Sequence, residues 1–280
     1  ASGFKDSLIY GGGDNLAEKL KIVQKGNTEN YWVIARSLGN DLFYSFEVSA
    51  SGINTTPVIS TISARVFGAP FPSSITGYLA VNKSRTLIAE ASGLLPEIVL
   101  YNFDNNTGVL NAAELLSTGG FFDDLPYGVE FSPDGNTLYA TGGIMSTTST
   151  YISSFDISAG IGSIAATKQD FVLNNTTNQD YGGIIKGPDG KLYMAQTNNS
   201  DLTVINDPNN FTTPNITIQS YNVGAGSAVI GVPNMPYYYH PDNFSDTLAG
   251  NNRIVCPNGQ ALIGDLGNDS IWGDYYWEPS

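Results

Sequence analysis

The chain has 280 residues, with Lys+Arg 12 against Asp+Glu 26, and its net charge of -14 repels phosphate backbones and anionic lipid heads. That balance argues against nucleic-acid partners and against membrane insertion, and no run approaches the roughly 18 apolar residues that a membrane helix needs. One cysteine, Cys256, leaves no internal disulfide or thiolate cluster, and one histidine, His240, restricts acid–base chemistry.

The opening ASGFKDSLIYGGGD has neither the basic start nor the apolar run of a signal peptide, features that a trimmed mature chain also lacks. Helix is nearly absent. LAEKLKIV (16–23) and VLNAAELL (109–116) could wind, but both are short enough to be loops or strands. The remainder reads as short strands separated by Gly-, Pro-, Asn- and Ser-rich turns. Four segments line up as repeats: YWVIARSLGNDLFYSFEVSASG (31–52), TLIAEASGLLPEIVLYNFDNNTG (86–108), TLYATGGIMSTTSTYISSFDISAG (137–160) and KLYMAQTNNSDLTVINDPNN (191–210).

Two anchors keep step through the repeats. Val33, Leu87, Leu138 and Leu192 recur at spacings of 54, 51 and 54 residues, and Phe46, Phe103, Phe155 and Ile205 at 57, 52 and 50. A further strand precedes each later anchor: GYLAVNKSR (77–85), YGVEFSPDGN (127–136) and YGGIIKGPDGK (181–191). Pro-Asp-Gly at 133–135 and 188–190 predicts tight turns, with proline presetting the first φ, aspartate capping and glycine taking the positive φ. Three to four strands per fifty-residue repeat predict an all-β propeller, with four to five blades here, over residues 1–243.

EKLKIVQKGNTENYWVIARSLGNDLFYSFEVSASGI, GYLAVNKSRTLIAEA, IVLYNFDNNTGVL, YGVEFSPDGNTLYATGG, YGGIIKGPDGKLYMAQ, LTVINDPNN and GVPNMPYYY follow one another across roughly residues 16–240. In that order they resemble the propeller of large cell-surface, adhesin-like proteins that gliding bacteria export by type IX secretion. The resemblance implies a seven-bladed fold, a surface location and roles in adhesion or gliding, and it brings no catalytic residues. Family members carry two or more blades before the EKLKIV-like strand, whereas residues 1–15 alone precede it here. The expectation is therefore a chain lacking N-terminal blades, in which Leu20, Ile22 and Val23 miss a neighbouring sheet. Residues 244–280 resemble the start of an Ig- or PKD-like module, with Cys256 placed where such modules form a disulfide.

Several candidate sites carry two readings. GDLGNDSIWGD (264–274) matches one turn of a calcium-binding Gly/Asp nonapeptide, making Asp265, Asn268 and Asp269 a calcium candidate, but a single copy is equally a module loop. Tyr237, Tyr238 and Tyr239, followed by His240, form an aromatic strip that either stacks on sugars or packs as a linker. Asp104, Asp123 and Asp124 either hold an ion or cap turns. Cys256 is either a reactive thiol or half of a disulfide. The sequons at Asn54 and Asn215, and the Asp-Ser/Thr-apolar triplets beginning at Asp6, Asp246 and Asp269, are weak signals for glycosylation.

No catalytic residue and no cofactor other than calcium is called for. The favoured reading is a non-catalytic secreted module that binds a glycan or surface protein, or spaces other domains of the same long chain. Two other classes stay open: a lactonase-like seven-bladed hydrolase, and a structural subunit or cargo in contact with a surface filament or the secretion machinery.

Overall fold

A computed structural model of the chain describes residues 15–38, 40–62, 76–92, 97–117, 126–142, 150–173, 181–197, 199–224 and 231–232. All of them belong to the first of two units into which the chain divides, Ala1–Tyr238. The described strands form four antiparallel sheets, each drawn from one contiguous stretch of chain. The first contains β1 (Leu16–Gln24), β2 (Tyr31–Ser37) and β3 (Leu42–Ser49), with β4 (Gly52–Ile53) and β5 (Val58–Thr61) both paired to β3. The second runs β6 (Leu79–Val81), β7 (Leu87–Ala91), β8 (Glu97–Asp104) and β9 (Val109–Ser117). The third runs β10 (Val129–Phe131), β11 (Thr137–Gly142), β12 (Thr150–Asp156) and β13 (Gln169–Leu173). The fourth runs β14 (Tyr181–Lys186), β15 (Leu192–Gln196), β16 (Asp201–Ile205) and β17 (Ile216–Asn222). The first strands β1, β6, β10 and β14 adjoin one another in that order, giving a four-blade β-propeller arrangement.

Both segments with helical potential are extended: 16–23 lies in β1 and 109–116 in β9. Helical backbone among the described residues is limited to two short 3-10 turns, Ile157–Ala159 and Ile164–Thr167. Register explains most of the repeat. Val33 lies opposite Phe46, Leu138 opposite Phe155 and Leu192 opposite Ile205. The second blade departs from this: Leu87 faces Asn102, and Phe103 lies one residue further along. The 57-residue step between Phe46 and Phe103 combines that one-residue offset with a β7–β8 hairpin two residues longer, from Leu87 to Asn102, than the β2–β3 one from Val33 to Phe46. Phe46, Phe103, Phe155 and Ile205 are all buried, as are Leu138 and Leu192, whereas Val33 and Leu87 are half-buried.

Three apolar cores lie between successive sheets. Trp32, Ile34 and Phe43 meet Leu79, Ile88 and Tyr101; Leu100 and Leu116 meet Phe131, Leu138 and Phe155; Tyr139 and Ile152 meet Tyr181, Leu192 and Met194. A central blade therefore buries both of its faces, and β10 and β11 are buried throughout instead of alternating in exposure. Each such Leu or Phe contributes about 1.5–3 kcal/mol relative to leaving it in water. The expectation for β1 needs correction. Lys19, Lys21 and Val23 alternate onto one buried face, and Val23 packs in the core with the second sheet. Leu20 remains 39% exposed and Ile22 half-buried.

The turns after the inner strands follow their predicted chemistry. In the Pro-Asp-Gly turns Gly135 and Gly190 have φ of 84° and 78°, and each donates its N–H back three residues, to Ser132 and Gly187. Asp134 and Asp189 accept from the backbone N–H two residues ahead. At the matching place in the second blade stands Arg85, with φ of 59°. A non-glycine residue is costly in this region. Its guanidinium compensates by donating to the carbonyls of Gln24 and Gly26 and to Asn27 Oδ1, which fastens the first blade to the second. Other links across blades run from Trp32 Nε1 to the Asn105 carbonyl (2.8 Å) and from the Tyr139 hydroxyl to the Pro208 carbonyl (2.9 Å).

Candidate functional site

The first and second strands of the blades carry isolated charges inside otherwise apolar runs, and these meet at three levels along β1. At the first level, Glu18 Oε1 accepts from the Gly77 N–H (3.0 Å) and lies 3.3 Å from the Tyr127 hydroxyl. Tyr78 stacks edge-on against Tyr127 at 5.4 Å, and its hydroxyl both donates to the Val232 carbonyl and accepts from the Val232 N–H. Partial burial, then the Glu18 charge, pushes the Tyr127 hydroxyl up to about 12. Backbones approach closely here. A Cβ on Gly128 would stand 2.5 Å from the Gly182 carbonyl oxygen, so a side chain there would force the third and fourth blades apart.

The second level is a buried ionic cluster. Lys19 Nζ donates to Glu90 Oε1 at 2.7 Å, the Tyr101 hydroxyl donates to Glu90 Oε2 at 2.6 Å, and Arg36 Nε lies 3.7 Å from the same oxygen. The Lys19 side chain is 0% exposed and that of Glu90 5%. Burial alone would raise the Glu90 carboxyl; the Lys19 and Arg36 charges and the two hydrogen bonds outweigh it and hold Glu90 below the usual carboxylate range. Burial, then the Glu90 charge, pushes the Tyr101 hydroxyl well above the ordinary phenol value. Arg36 also donates to the Leu42 carbonyl at 3.0 Å.

At the third level Lys21 Nζ stands 3.9 Å from Glu130 Oε2, both side chains under 10% exposed, and Glu130 Oε1 accepts from the Phe131 N–H at 3.0 Å. Lys186, at the end of β14, is half-buried and also within electrostatic reach of Glu130. Among the described residues no three of His, Cys, Asp and Glu converge as metal ligands.

These groups were not among the sites anticipated from the sequence. Their signal is the few charges set in apolar strands of a charge-poor chain: Glu18, Lys19 and Lys21 in LAEKLKIV, and one each in YWVIARS (Arg36), TLIAEAS (Glu90), YGVEF (Glu130) and GGIIKGP (Lys186). Of the anticipated residues, Asp104 lies at the end of β8, where its Oδ1 accepts from the N–H groups of Asn106 (2.9 Å) and Thr107 (3.4 Å), the turn-capping arrangement. Asn54 Oδ1 likewise accepts from the Thr56 N–H. Asp123, Asp124, Tyr237, Tyr238, Tyr239, His240, Cys256, Asp265, Asn268 and Asp269 lie outside the described residues.

No protein-family model matches the chain, and no curated protein matches it significantly. Solved structures do match in fold. A candidate 6-phosphogluconolactonase from Bacteroides uniformis aligns with 77% of this chain and 57% of its own length, at 16% identity and a TM-score of 0.53. A second, from Bacteroides fragilis, aligns with 77% of this chain and 56% of its own length, at 15% identity and a TM-score of 0.50. The chain thus spans less than two thirds of either protein, and at these identities the likeness is one of β-propeller fold alone.

Proposed function

We propose that this propeller is a non-catalytic module of a large secreted, adhesin-like cell-surface protein, binding glycan or protein ligands or spacing neighbouring domains. The observation that carries the reading is the mutual neutralisation of the charges buried between the first and second blades. Acid–base chemistry at neutral pH needs a group poised near neutrality. Glu90 is instead held below the carboxylate range, the Lys19 and Arg36 charges and its two hydrogen bonds outweighing burial, and Tyr101 is pushed well above the phenol range by burial and then by the Glu90 charge. The strongly acidic, charge-poor composition suits an extracellular location, and the resemblance to type IX-exported surface propellers points the same way. The reading extends to a seven-bladed ring that includes these four sheets, to an Ig- or PKD-like module from residue 244, and to a part in attachment or gliding.

The discriminating experiment pairs two measurements on the purified chain. The expected outcome is no hydrolysis of sugar lactones above buffer, with saturable binding to a panel of immobilised glycans or to cell-surface protein. Lactone turnover that disappears in the Glu90→Gln variant would overturn the reading in favour of a lactonase-like hydrolase.

A further inference from the structure

The chain leaves the fourth sheet from its outermost strand and is back at the first strands by Gly231–Val232. β17 pairs with β16 alone, with a register shift and Gln219 at φ of 50°, and all of it but Ile216 is exposed. Val232 is held differently. Its N–H donates to the Tyr78 hydroxyl at 2.8 Å, and its carbonyl accepts from that hydroxyl at 2.9 Å. A Cβ on Gly183 would stand 2.7 Å from Val232 Cγ2 and 2.8 Å from Tyr78 Cζ, so both side chains press on backbone where only glycine fits. Tyr78 directly precedes β6 and Gly183 lies within β14, the two strands that flank β10. Val232 therefore bridges the second and fourth blades across the first strand of the third.

A strand paired along one edge and exposed on its surface has little to resist opening, and a pull at its end breaks its hydrogen bonds one after another. We propose that Gly231–Val232 is a latch, which moves the point where the onward chain is held from β17 to the first strands of the second and fourth blades. Tension on the chain beyond residue 232 then meets the Tyr78 hydrogen-bond pair and the Val232 side chain seated on Gly183 together, before any of it reaches β17. The same contacts keep the first strands of the second, third and fourth blades from separating. The load-bearing use of the latch rests on the reading of this chain as a surface spacer; the latch itself rests on the contacts alone.

Hydrogen exchange and single-molecule pulling test the latch on the whole chain. In the unmodified protein the Val232 amide should exchange more slowly than in a short peptide of the same sequence. Tyr78→Phe keeps the ring against Tyr127 and Gly183 but deletes both hydrogen bonds. It should speed exchange at Val232 about tenfold and leave exchange in β7 and β8 unchanged. Val232→Pro deletes the donated N–H from the other partner, at a position outside every described strand, so the blades stay folded. Under a pull through handles at the two chain ends, the roughly 17 residues from Ile216 to Val232 release up to about 60 Å as β17 peels away. That step should come at lower force in both variants than in the unmodified protein. Val232 exchange at the peptide rate, exchange unchanged by Tyr78→Phe, or peeling at the same force in all three proteins would overturn the proposal. Neither readout involves a lactone or a glycan, so failure here leaves the surface-module reading standing, and failure of that reading leaves the latch.

Discussion

The interface between the first and second blades and that between the second and third are built from opposite materials. In the first, Lys19, Arg36, Glu90 and Tyr101 form a buried polar knot beside the apolar residues Ile34, Phe43 and Ile88. In the second, Leu100, Leu116, Phe131, Leu138 and Phe155 meet without a buried charge among them. An apolar interface tolerates small shifts because its attraction is non-directional. The polar knot does not, since each donor left without its acceptor carries a full desolvation penalty. The first interface should therefore be the more fragile to single changes and to pH, and the second the more uniformly stable.

The largest effect is expected at the knot. Glu90→Ala leaves Lys19 buried without its counter-ion and Arg36 with Asp41 alone, and should cost about 3–5 kcal/mol in urea denaturation. If the loss is under 1 kcal/mol, water reaches the cluster and the contrast fails. Acidification tests the same group. The Glu90 pKa is lowered by folding, so its contribution is present at neutral pH and disappears as pH falls through the ordinary carboxylate range and below. Thermal stability should drop across that window, and the drop should shrink in Glu90→Gln.

Next comes the apolar interface. Leu100→Ala should cost about 2–5 kcal/mol through lost burial and a residual cavity. Its penalty should be the same at neutral and acid pH, which separates it from the knot. Below that, Tyr139→Phe removes the hydroxyl bonded to the Pro208 carbonyl and should cost about 0.5–1.5 kcal/mol, read as a small shift in the urea midpoint. Smallest is Glu47→Gln at the partly exposed Lys25–Glu47 pair on the first blade, expected at under about 1 kcal/mol and reduced further by added salt.

The same contrast decides what the sequence could reveal. The four repeats and their turn chemistry are legible because both are periodic: the Leu and Phe anchors recur, and Pro-Asp-Gly supplies proline and glycine where the turn requires them. The second-blade offset is not legible because a one-residue shift from Asn102 to Phe103 cannot be told in sequence from a longer β7–β8 connection. Burial on both faces of β10 and β11 escaped because a blade's neighbours, rather than its own alternation, set exposure. The charged cluster escaped most completely. Lys19, Arg36 and Glu90 lie on three strands of two sheets, and only the packing of one blade on the next brings them together. Asp104, by contrast, was readable in both of its senses, and local geometry selected the cap.

Each sheet is drawn from a single uninterrupted segment, the second from residues 79–117 and the third from 129–173. Within a sheet, every strand described pairs with one that precedes or follows it closely along the chain. A blade can therefore complete its own hydrogen bonding as soon as its last strand has left the ribosome, before the next exists. What it cannot complete alone is the burial of its outer face, which waits for the following blade. Assembly would then advance like a row of tiles laid from one end, each new piece sealing the one before it.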